Sequence, residues 1–131
     1  MSVTRIGPAL RQQVAQRAGF RCEYCGILEE HTALGCQVDH IISEKHGGDT
    51  TADNLAYACT FCNWHKGSDI ASLADDSSLV PLFNPRRDDW AAHFGVVGLV
   101  IQARTAVAEA TARLLKFNAP ERLLEREALA R

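Results

Sequence analysis

The sequence lacks the features that would place the chain in a membrane or outside the cell. None of its apolar runs reaches the roughly 18 residues that a membrane-spanning helix requires. The N-terminal stretch Met-Ser-Val-Thr-Arg-Ile-Gly-Pro holds no apolar segment long enough for a secretory signal. We therefore expect no membrane partner and a cytoplasmic location. Internal repeats and low-complexity tracts are also absent, and 131 residues allow one domain, or one module with an appended helical piece.

The chain also lacks an excess of positive charge. Its formal net charge is −2 at pH 7, whereas proteins that bind nucleic acid usually carry more Lys and Arg than Asp and Glu. This balance argues mildly against a nucleic-acid partner. It does not exclude one, because the overall charge can hide a local cluster, and a bound divalent metal adds positive charge at the site itself. The apolar fraction of 47% is typical of a globular protein and not of a disordered one.

Local patterns predict a mixed helix and strand organisation in three segments: residues 1–71, a connector over 72–98 that carries a short helix, and a helical extension over 99–131 that packs on the first segment. The predicted elements are, in chain order, a helix over 8–18, a strand over 36–42, a loop over 43–53, a strand over 55–58, a helix from Thr60 to near Ile70, an irregular stretch over 72–89, a helical face formed by Trp90, His93 and Phe94, a helix over 99–117, and a last helix from Pro120.

Five cysteines are present, and four of them form two Cys-x-x-Cys pairs. Cys22 and Cys25 are separated by 33 residues from Cys59 and Cys62. In a chain expected to be cytoplasmic this pairing favours metal binding over disulfides, and four thiolates match the closed tetrahedral shell of structural zinc. Four buried or redox-active thiols remain an alternative, as does a rubredoxin-like iron site with the same ligands. Cys36 lies in a predicted strand and is expected to be a small core residue rather than a ligand.

Polar residues suited to a second metal lie between the cysteine pairs and directly after them. Asp39 lies in the predicted strand, and Asn63 follows Cys62 near the start of the predicted helix. A zinc ion bound by both cysteine pairs would hold Asn63 in a fixed position beside the metal. The predicted strand that carries Asp39 would pack across from it. Asp39 and Asn63 could then both offer oxygens to one hard divalent cation such as Mg²⁺. Asn63 could instead cap the helix, a role for which Asn is favoured.

The pattern Cys-x2-Cys, Asp-His-Ile, Gly-Gly, Asn-Leu and Cys-x2-Cys-Asn-x2-Lys-Gly, over about residues 20–70, resembles the HNH endonuclease family in its four-cysteine, zinc-bearing form. The resemblance implies an α+β fold. Its centre would be a ββα-metal (His-Me finger) core held together by a four-cysteine zinc site, with an N-terminal helix and a C-terminal helical extension. The implied activity is metal-dependent hydrolysis of DNA phosphodiester bonds. The third residue of the family motif is Asn here, and an amide oxygen favours Mg²⁺ or Mn²⁺ as the catalytic cation over softer metals.

The resemblance also implies a role for each motif residue. His40 resembles the general base that activates a water, Asp39 and Asn63 look like the ligands of the catalytic cation, and Asn54 resembles the residue that holds the loop so that the base points correctly. A neutral His with a pKa of about 6.5 can take the proton of a water. The weaker candidates for substrate contact are Lys66, which could hold a flanking phosphate, His65 and His46.

Alternatives remain for the function and for the rest of the chain. The main alternative is a non-catalytic, zinc-stabilised module that binds nucleic acid or protein, although such a module has no need of the Asp39-His40 and Asn63 combination. A zinc-dependent deaminase would require His-x-Glu before Pro-Cys-x-x-Cys, and neither motif is present. Trp64 is expected to pack rather than to stack on a base. The basic residues of the C-terminal half could form a phosphate-binding face or could simply be solvated: Arg86, Arg87, Arg104, Arg113 and Lys116.

Overall fold

The computed structural model describes residues 5–129, which form a mixed α/β fold. Residues 1–4 and 130–131, which the first and last predicted segments include, lie outside the described residues. The helices and strands are α1 (Pro8–Arg17), β1 (Cys36–His40), β2 (Leu55–Cys59), α2 (Thr60–Lys66), β3 (Ala71–Leu73), β4 (Leu79–Pro81), α3 (Trp90–His93), β5 (Phe94–Val97), β6 (Val100–Ala103), α4 (Ala106–Leu114) and α5 (Pro120–Leu129). Within the described residues, no helix is both long and apolar enough to cross a membrane.

The first two strands form an antiparallel pair that leads directly into a helix. The register of β1 and β2 sets Cys36 opposite Cys59 and His40 opposite Leu55. Both strands were predicted, and their ends differ from the prediction by one or two residues. Helix α2 ends before Gly67, which adopts a φ of 52°. Because L-residues rarely adopt positive φ and glycine does so readily, the predicted continuation to near Ile70 is wrong.

Helix α1 covers one side of this strand pair. Its N-terminal Pro8 occupies the first turn, where a missing N–H costs no hydrogen bond. Val14 and Ala15 are buried against Leu55 and Tyr57 of β2. The predicted helix is thereby confirmed, and its apolar side packs against one face of the β1–β2 pair.

The second half of the chain contains strands that the sequence patterns did not predict. The stretch over 72–89, expected to be irregular, holds most of the antiparallel pair β3–β4. The prediction of a helix over 99–117 is wrong at its start, because β6 pairs with β5 across Gly98-Leu99 and α4 begins only at Ala106. Gly98 has a φ of 62°, which permits a tight two-residue turn, and the β-branched residues on either side favour extended backbone.

One buried cluster joins the cysteine pairs to the C-terminal half of the chain. It contains all four paired cysteines together with aromatic and aliphatic residues of the later elements. Phe94 lies at its centre, with ring centroids 5.6 Å from Phe83, 5.1 Å from Trp90 and 5.5 Å from Phe117. The β1–β2–α2 unit and the elements that follow it therefore share a core.

Candidate metal centre and adjoining cleft

The two Cys-x-x-Cys pairs meet in space. The sulfur atoms of Cys22, Cys25, Cys59 and Cys62 all lie within 4.8 Å of one another, and each of the four residues is at most 9% exposed. The first pair lies in a tight turn, where the amide of Cys25 is 3.4 Å from the Cys22 sulfur. The second pair spans the end of β2 and the first turn of α2.

The spacing of these sulfurs suits a tetrahedral metal ion. In a tetrahedron with metal–sulfur bonds of about 2.3 Å, neighbouring sulfurs are about 3.8 Å apart. The Sγ atoms of Cys25 and Cys59 are 3.7 Å apart. Burial raises the pKa of the Cys22 and Cys62 thiols, whereas a hydrogen bond with the Cys22 sulfur lowers the pKa of the Cys25 and Cys59 thiols. All four groups would therefore not become thiolates together without a cation to offset their charge. The donor set and its geometry fit structural zinc.

Cys36, the fifth cysteine, lies outside this group. Its sulfur does not belong to the four-sulfur cluster found among the described residues. Burial raises the pKa of its thiol to about 12, with the neighbouring Cys59 and Glu29 adding to the effect. The side chain packs against both buried clusters of the protein, as expected of a small core residue.

Arg122 of α5, which sequence analysis missed, borders the cysteine cluster. It is 1% exposed, and its guanidinium lies 3.4 Å from the Cys62 sulfur and 3.7 Å from the Cys59 sulfur. The same group donates to the carbonyl of Leu115 and lies over the ring of Phe61. Burial acts to lower the pKa of Arg122, but the thiolates raise it overall. The last helix thus places a buried positive charge against the sulfurs.

A cleft of about 330 Å³ adjoins this centre and brings three of the predicted site residues together. Asp39, His40 and Asn63 all line it. Asp39 and His40 come from the end of β1, and Asn63 comes from α2 directly after Cys62. The remaining lining residues are Ser43, Trp64, Gly67 and Ser68.

The imidazole of His40 is buried and held by hydrogen bonding. Its Nε2 lies 2.8 Å from the hydroxyl of Thr50 and 3.6 Å from Oε1 of Glu44. The Thr50 hydroxyl is itself 3.4 Å from that carboxylate. Thr50 and Glu44 therefore orient the ring. Sequence analysis missed both, because neither belongs to a recognisable motif.

The carboxylate of Asp39 has an oxygen with no hydrogen-bond partner. Its Oδ2 is buried and accepts no hydrogen bond from any of the described residues. The ammonium of Lys66 lies 3.8 Å from this oxygen. Burial raises the pKa of this carboxyl, and the charge of Lys66 acts in the opposite direction. A buried carboxylate oxygen without a donor is an unfavourable arrangement, and a cation at the cleft would relieve it.

Asn54 ties the loop between the two strands to the end of β1. Its Oδ1 accepts from the amide of Ile42 at 3.0 Å, and its Nδ2 donates to the carbonyls of Ile42 and Asp49, each at 2.8 Å. Gly48 lies close to the Ile42 carbonyl. A Cβ at position 48 would be only 1.7 Å from that carbonyl oxygen, so the close approach requires glycine. These contacts are those of a residue that holds the loop in place.

The side chain of Asn63 points across to β1. Its Nδ2 donates to Oε1 of Gln37 at 2.7 Å, so the carbonyl oxygen is the atom that could bind a cation. The N-cap of α2 is Cys59, and Asn63 lies inside the helix. The alternative that Asn63 caps this helix is therefore wrong.

The three weaker candidates for substrate contact are not among the described residues that line the cleft. Lys66 is only 2% exposed and donates to the carbonyl of His40 at 3.1 Å, so its ammonium does not face the solvent from which a phosphate would arrive. Burial and the charge of Lys116 lower the pKa of His65, which faces the C-terminal half. His46 is exposed on a short 3-10 helix. Neither histidine is among the described residues that line the cleft.

Comparison with family models matches residues 22–69 to the family described as HNH endonuclease. The matched stretch begins at Cys22 and includes the second cysteine pair, the end of β1, the loop that Asn54 holds and the whole of α2. The resemblance inferred from the sequence is thereby confirmed. In the same comparisons no curated protein and no solved structure matches the chain.

Proposed function

We propose that this chain, whose residues 22–69 match the HNH endonuclease family, hydrolyses phosphodiester bonds of DNA with a divalent cation bound in the cleft. The observation that carries the proposal is the arrangement at the end of β1. A carboxylate oxygen of Asp39 lies in the same cleft as the imidazole of His40 and the amide of Asn63. This oxygen has no hydrogen-bond donor among the described residues, and the Lys66 ammonium stands 3.8 Å from it. A purely structural zinc module has no need of this combination.

Asp39 and Asn63 would hold the cation. Carboxylate and amide oxygens are the ligands that Mg²⁺ and Mn²⁺ prefer, and both ions usually retain waters that a phosphate can replace. When bound, such a cation stabilises negative charge on the phosphoryl oxygens and on the leaving oxygen. We assign Lys66 to the support of this site, because its ammonium bonds to the His40 carbonyl and lies near the Asp39 carboxylate.

His40 would act as the general base. Its imidazole takes a proton from a water, the water oxygen forms a bond to phosphorus, and the bond from phosphorus to the leaving oxygen breaks as that oxygen gains a proton from solvent. Thr50 and Glu44 hold the ring on one side through Nε2, and Asn54 fixes the loop that carries them. The base is thus positioned before substrate binds, which favours catalysis.

The zinc centre would serve the fold rather than the reaction. Zinc held by four sulfurs has a closed shell with no position for a substrate. It joins the turn at Cys22 to the β2–α2 junction, and Asn63 is the residue directly after the last sulfur ligand. The order β1, β2, α2 beside this centre supports the assignment of a ββα-metal core. In such a core the zinc would hold the β2–α2 junction in place, and with it the position of Asn63 relative to β1.

A plasmid cleavage assay across a series of metals tests the proposed activity. We expect zinc-loaded wild type to nick or cut DNA with Mg²⁺ or Mn²⁺, and we expect His40→Ala to be slower by about 100-fold or more, because general-base catalysis contributes that much. His46→Ala is the matched control, since His46 lies in the same loop region but outside the cleft, and its rate should equal that of wild type.

Two results of this assay would contradict the proposal. Equal cleavage by wild type and His40→Ala, with zinc content verified in both, would show that His40 is not the base. Binding of DNA by zinc-loaded wild type without cleavage in any metal would identify the chain as the non-catalytic, zinc-stabilised module instead.

A further inference from the structure

The indole of Trp64 is an unusual feature of the cleft. The side chain is 64% exposed, although Trp is among the residue types that are well buried on average. Among residues 5–129, its one ring contact is an edge-on approach to Phe61, with centroids 6.3 Å apart. The other tryptophan, Trp90, packs on Phe94 and donates to the carbonyl of Tyr24. The sequence favoured packing over base stacking for Trp64, but most of the indole is left uncovered by the described residues.

Trp64 lies where a nucleic-acid strand would pass if its phosphate occupied the cleft. It is the residue after Asn63 on α2, and both line the cleft together with Asp39 and His40. An exposed aromatic ring next to the place of reaction is positioned to contact the nucleotide that flanks the scissile phosphate.

The cleft is poor in the cationic side chains that grip a duplex. None of its described lining residues is Lys or Arg, and Lys66 is buried. Several arginines elsewhere bond to the protein itself. Arg17 bonds to the carbonyls of Ala52 and Leu55, Arg86 pairs with Glu23, Arg113 pairs with Asp75, and Arg122 faces the cysteine sulfurs. The net charge is −2, and exposed cations such as Lys45, Arg87 and Lys116 are not among the described residues that line the cleft. The cleft itself therefore offers little to the regular phosphate array of a long duplex.

We propose that Trp64 stacks on an unpaired base beside the scissile phosphate, and that the substrate class is single-stranded or locally unpaired DNA. The inference rests on the proposed function in one respect, namely that the phosphate enters the cleft. Bases in a duplex already stack on their neighbours and hide their faces, whereas an unpaired base exposes both. Stacking on an aromatic side chain tolerates any base sequence and adds affinity without added charge.

A binding experiment tests this inference independently of cleavage. The probes are a labelled single-stranded oligonucleotide and the matched duplex, titrated with zinc-loaded protein in the absence of Mg²⁺ and Mn²⁺. We expect tighter binding of the single strand, quenching of tryptophan fluorescence as it binds, and a weak dependence of Kd on salt. Trp64→Ala should weaken single-strand binding about 10-fold, as loss of one stacking contact does, and should leave the weaker duplex binding unchanged.

Two further variants separate stacking from general effects on the surface. Trp64→Phe keeps an aromatic face and should recover much of the single-strand affinity while losing the fluorescence quench. Leu79→Ala removes another exposed apolar side chain, on β4, which does not line the cleft. This variant should bind the single strand like wild type. Because Trp64 is exposed, its replacement should leave the melting temperature close to that of wild type, which thermal unfolding checks.

The outcomes distinguish this inference from the proposed function. Equal affinity for single strand and duplex, or unchanged binding by Trp64→Ala, overturns the stacking inference even if the protein cleaves DNA. Trp64-dependent binding of the single strand without cleavage in any metal supports the inference and overturns the hydrolytic proposal.

Discussion

Asp39 carries its charge at a place that the protein alone stabilises poorly. Burial raises the pKa of its carboxyl, the Lys66 ammonium at 3.8 Å offsets only part of that effect, and Oδ2 has no hydrogen-bond donor among the described residues. Sites that bind cations often retain such unfavourable groups, because the ligand supplies the missing partner. The same residue should therefore lower the stability of the metal-free protein and strengthen cation binding.

Asp39→Asn tests this trade between stability and binding. The pKa of Asp39 is higher in the folded state than in the unfolded state, so its ionised form costs stability above the folded pKa, and this cost disappears as the pH falls below the unfolded pKa. We expect the variant to melt at a higher temperature than wild type at neutral pH without Mg²⁺ or Mn²⁺. The difference should shrink on acidification toward about pH 4, near the usual Asp pKa, and thermal unfolding between pH 4 and pH 8 measures it.

The cation supplies the second half of that test. Addition of Mn²⁺ should raise the melting temperature of wild type and leave that of Asp39→Asn unchanged, because the variant lacks the carboxylate ligand. A lower melting temperature for Asp39→Asn at neutral pH in the absence of the cation would show that the ion pair with Lys66 outweighs the cost of burying the Asp39 charge, and would contradict the assignment of an uncompensated charge.

Asn54 makes three hydrogen bonds to the backbone of Ile42 and Asp49, within the segment that joins β1 to β2. Asn54→Ala leaves those partly buried groups without partners, so we expect the free energy of unfolding to fall by about 2–3 kcal/mol. Chemical denaturation of the zinc-loaded protein measures this loss. DNA cleavage should fall as well, since Thr50 and Glu44, which orient His40, lie in the loop.

Asn54→Asp provides the comparison for this prediction. A carboxylate keeps the bond to the Ile42 amide but cannot donate to the carbonyls of Ile42 and Asp49. Its stability and cleavage rate should therefore both lie below those of wild type. Equal cleavage by all three proteins would show that the loop does not position the base.

At the scale of elements, local signals predicted α1, β1, β2 and the start of α2. Pro8 begins the first helix, whereas the end of α2 at Gly67, one turn earlier than expected, was missed. The strand pair β5–β6 was not predicted. The apolar residues of β6 are followed closely by those of α4, so that a single helical period appeared to cover β6 and α4 together. Only the pairing across Gly98 separates them, and pairing is not a local property.

The candidate site divides in the same way. The cysteine spacing predicted the four-sulfur cluster, and the motif around Asp39 and His40 indicated the residues that the cleft brings together with Asn63. Arg122 could not be predicted, because its place beside the sulfurs depends on how a helix distant in sequence packs. The burial of Lys66 and the exposure of Trp64 escaped for a related reason, since the pattern of α2 alone does not show which of its faces is covered.

Helix α5 should influence the zinc centre through Arg122. Its guanidinium lies within hydrogen-bonding distance of the sulfurs of Cys59 and Cys62, and donors to metal ligands commonly change metal affinity by about 10- to 100-fold. We expect Arg122→Met, which keeps much of the side-chain length but removes the charge, to release zinc to a colorimetric chelator about 10-fold faster than wild type. Arg122→Lys should fall between the two.

Arg113→Met is the matched control for this prediction. Arg113 lies on α4 and bonds to Asp75 and to the carbonyl of Leu73 at the surface, so the same substitution there should leave the rate of zinc release unchanged. Identical rates for Arg122→Met and wild type would show that α5 only packs beside the centre.

For the molecule as a whole, the cysteine cluster and the aromatic cluster around Phe94 belong to one buried core. The sulfurs of the turn at Cys22 meet those of the β2–α2 junction, and Arg122 of the last helix lies against two of the same sulfurs. A single core of this kind unfolds cooperatively, so loss of the metal should affect the C-terminal half as well as the family-matched residues.

Removal of one zinc ligand should therefore unfold the entire chain and not only the tight turn at Cys22. Structural zinc contributes about 10–16 kcal/mol of binding free energy in small zinc domains, which matches or exceeds the roughly 5–15 kcal/mol that separates typical folded and unfolded states. We expect Cys22→Ser to lose zinc and most of its helical circular dichroism at 25 °C. Cys36→Ser changes a cysteine outside the cluster and should retain both, because its thiol packs but does not face the metal. If Cys22→Ser kept a cooperative transition at the wild-type melting temperature, the core would be stable without the ion, and the geometry of Asp39, His40 and Asn63 would have to be attributed to packing alone.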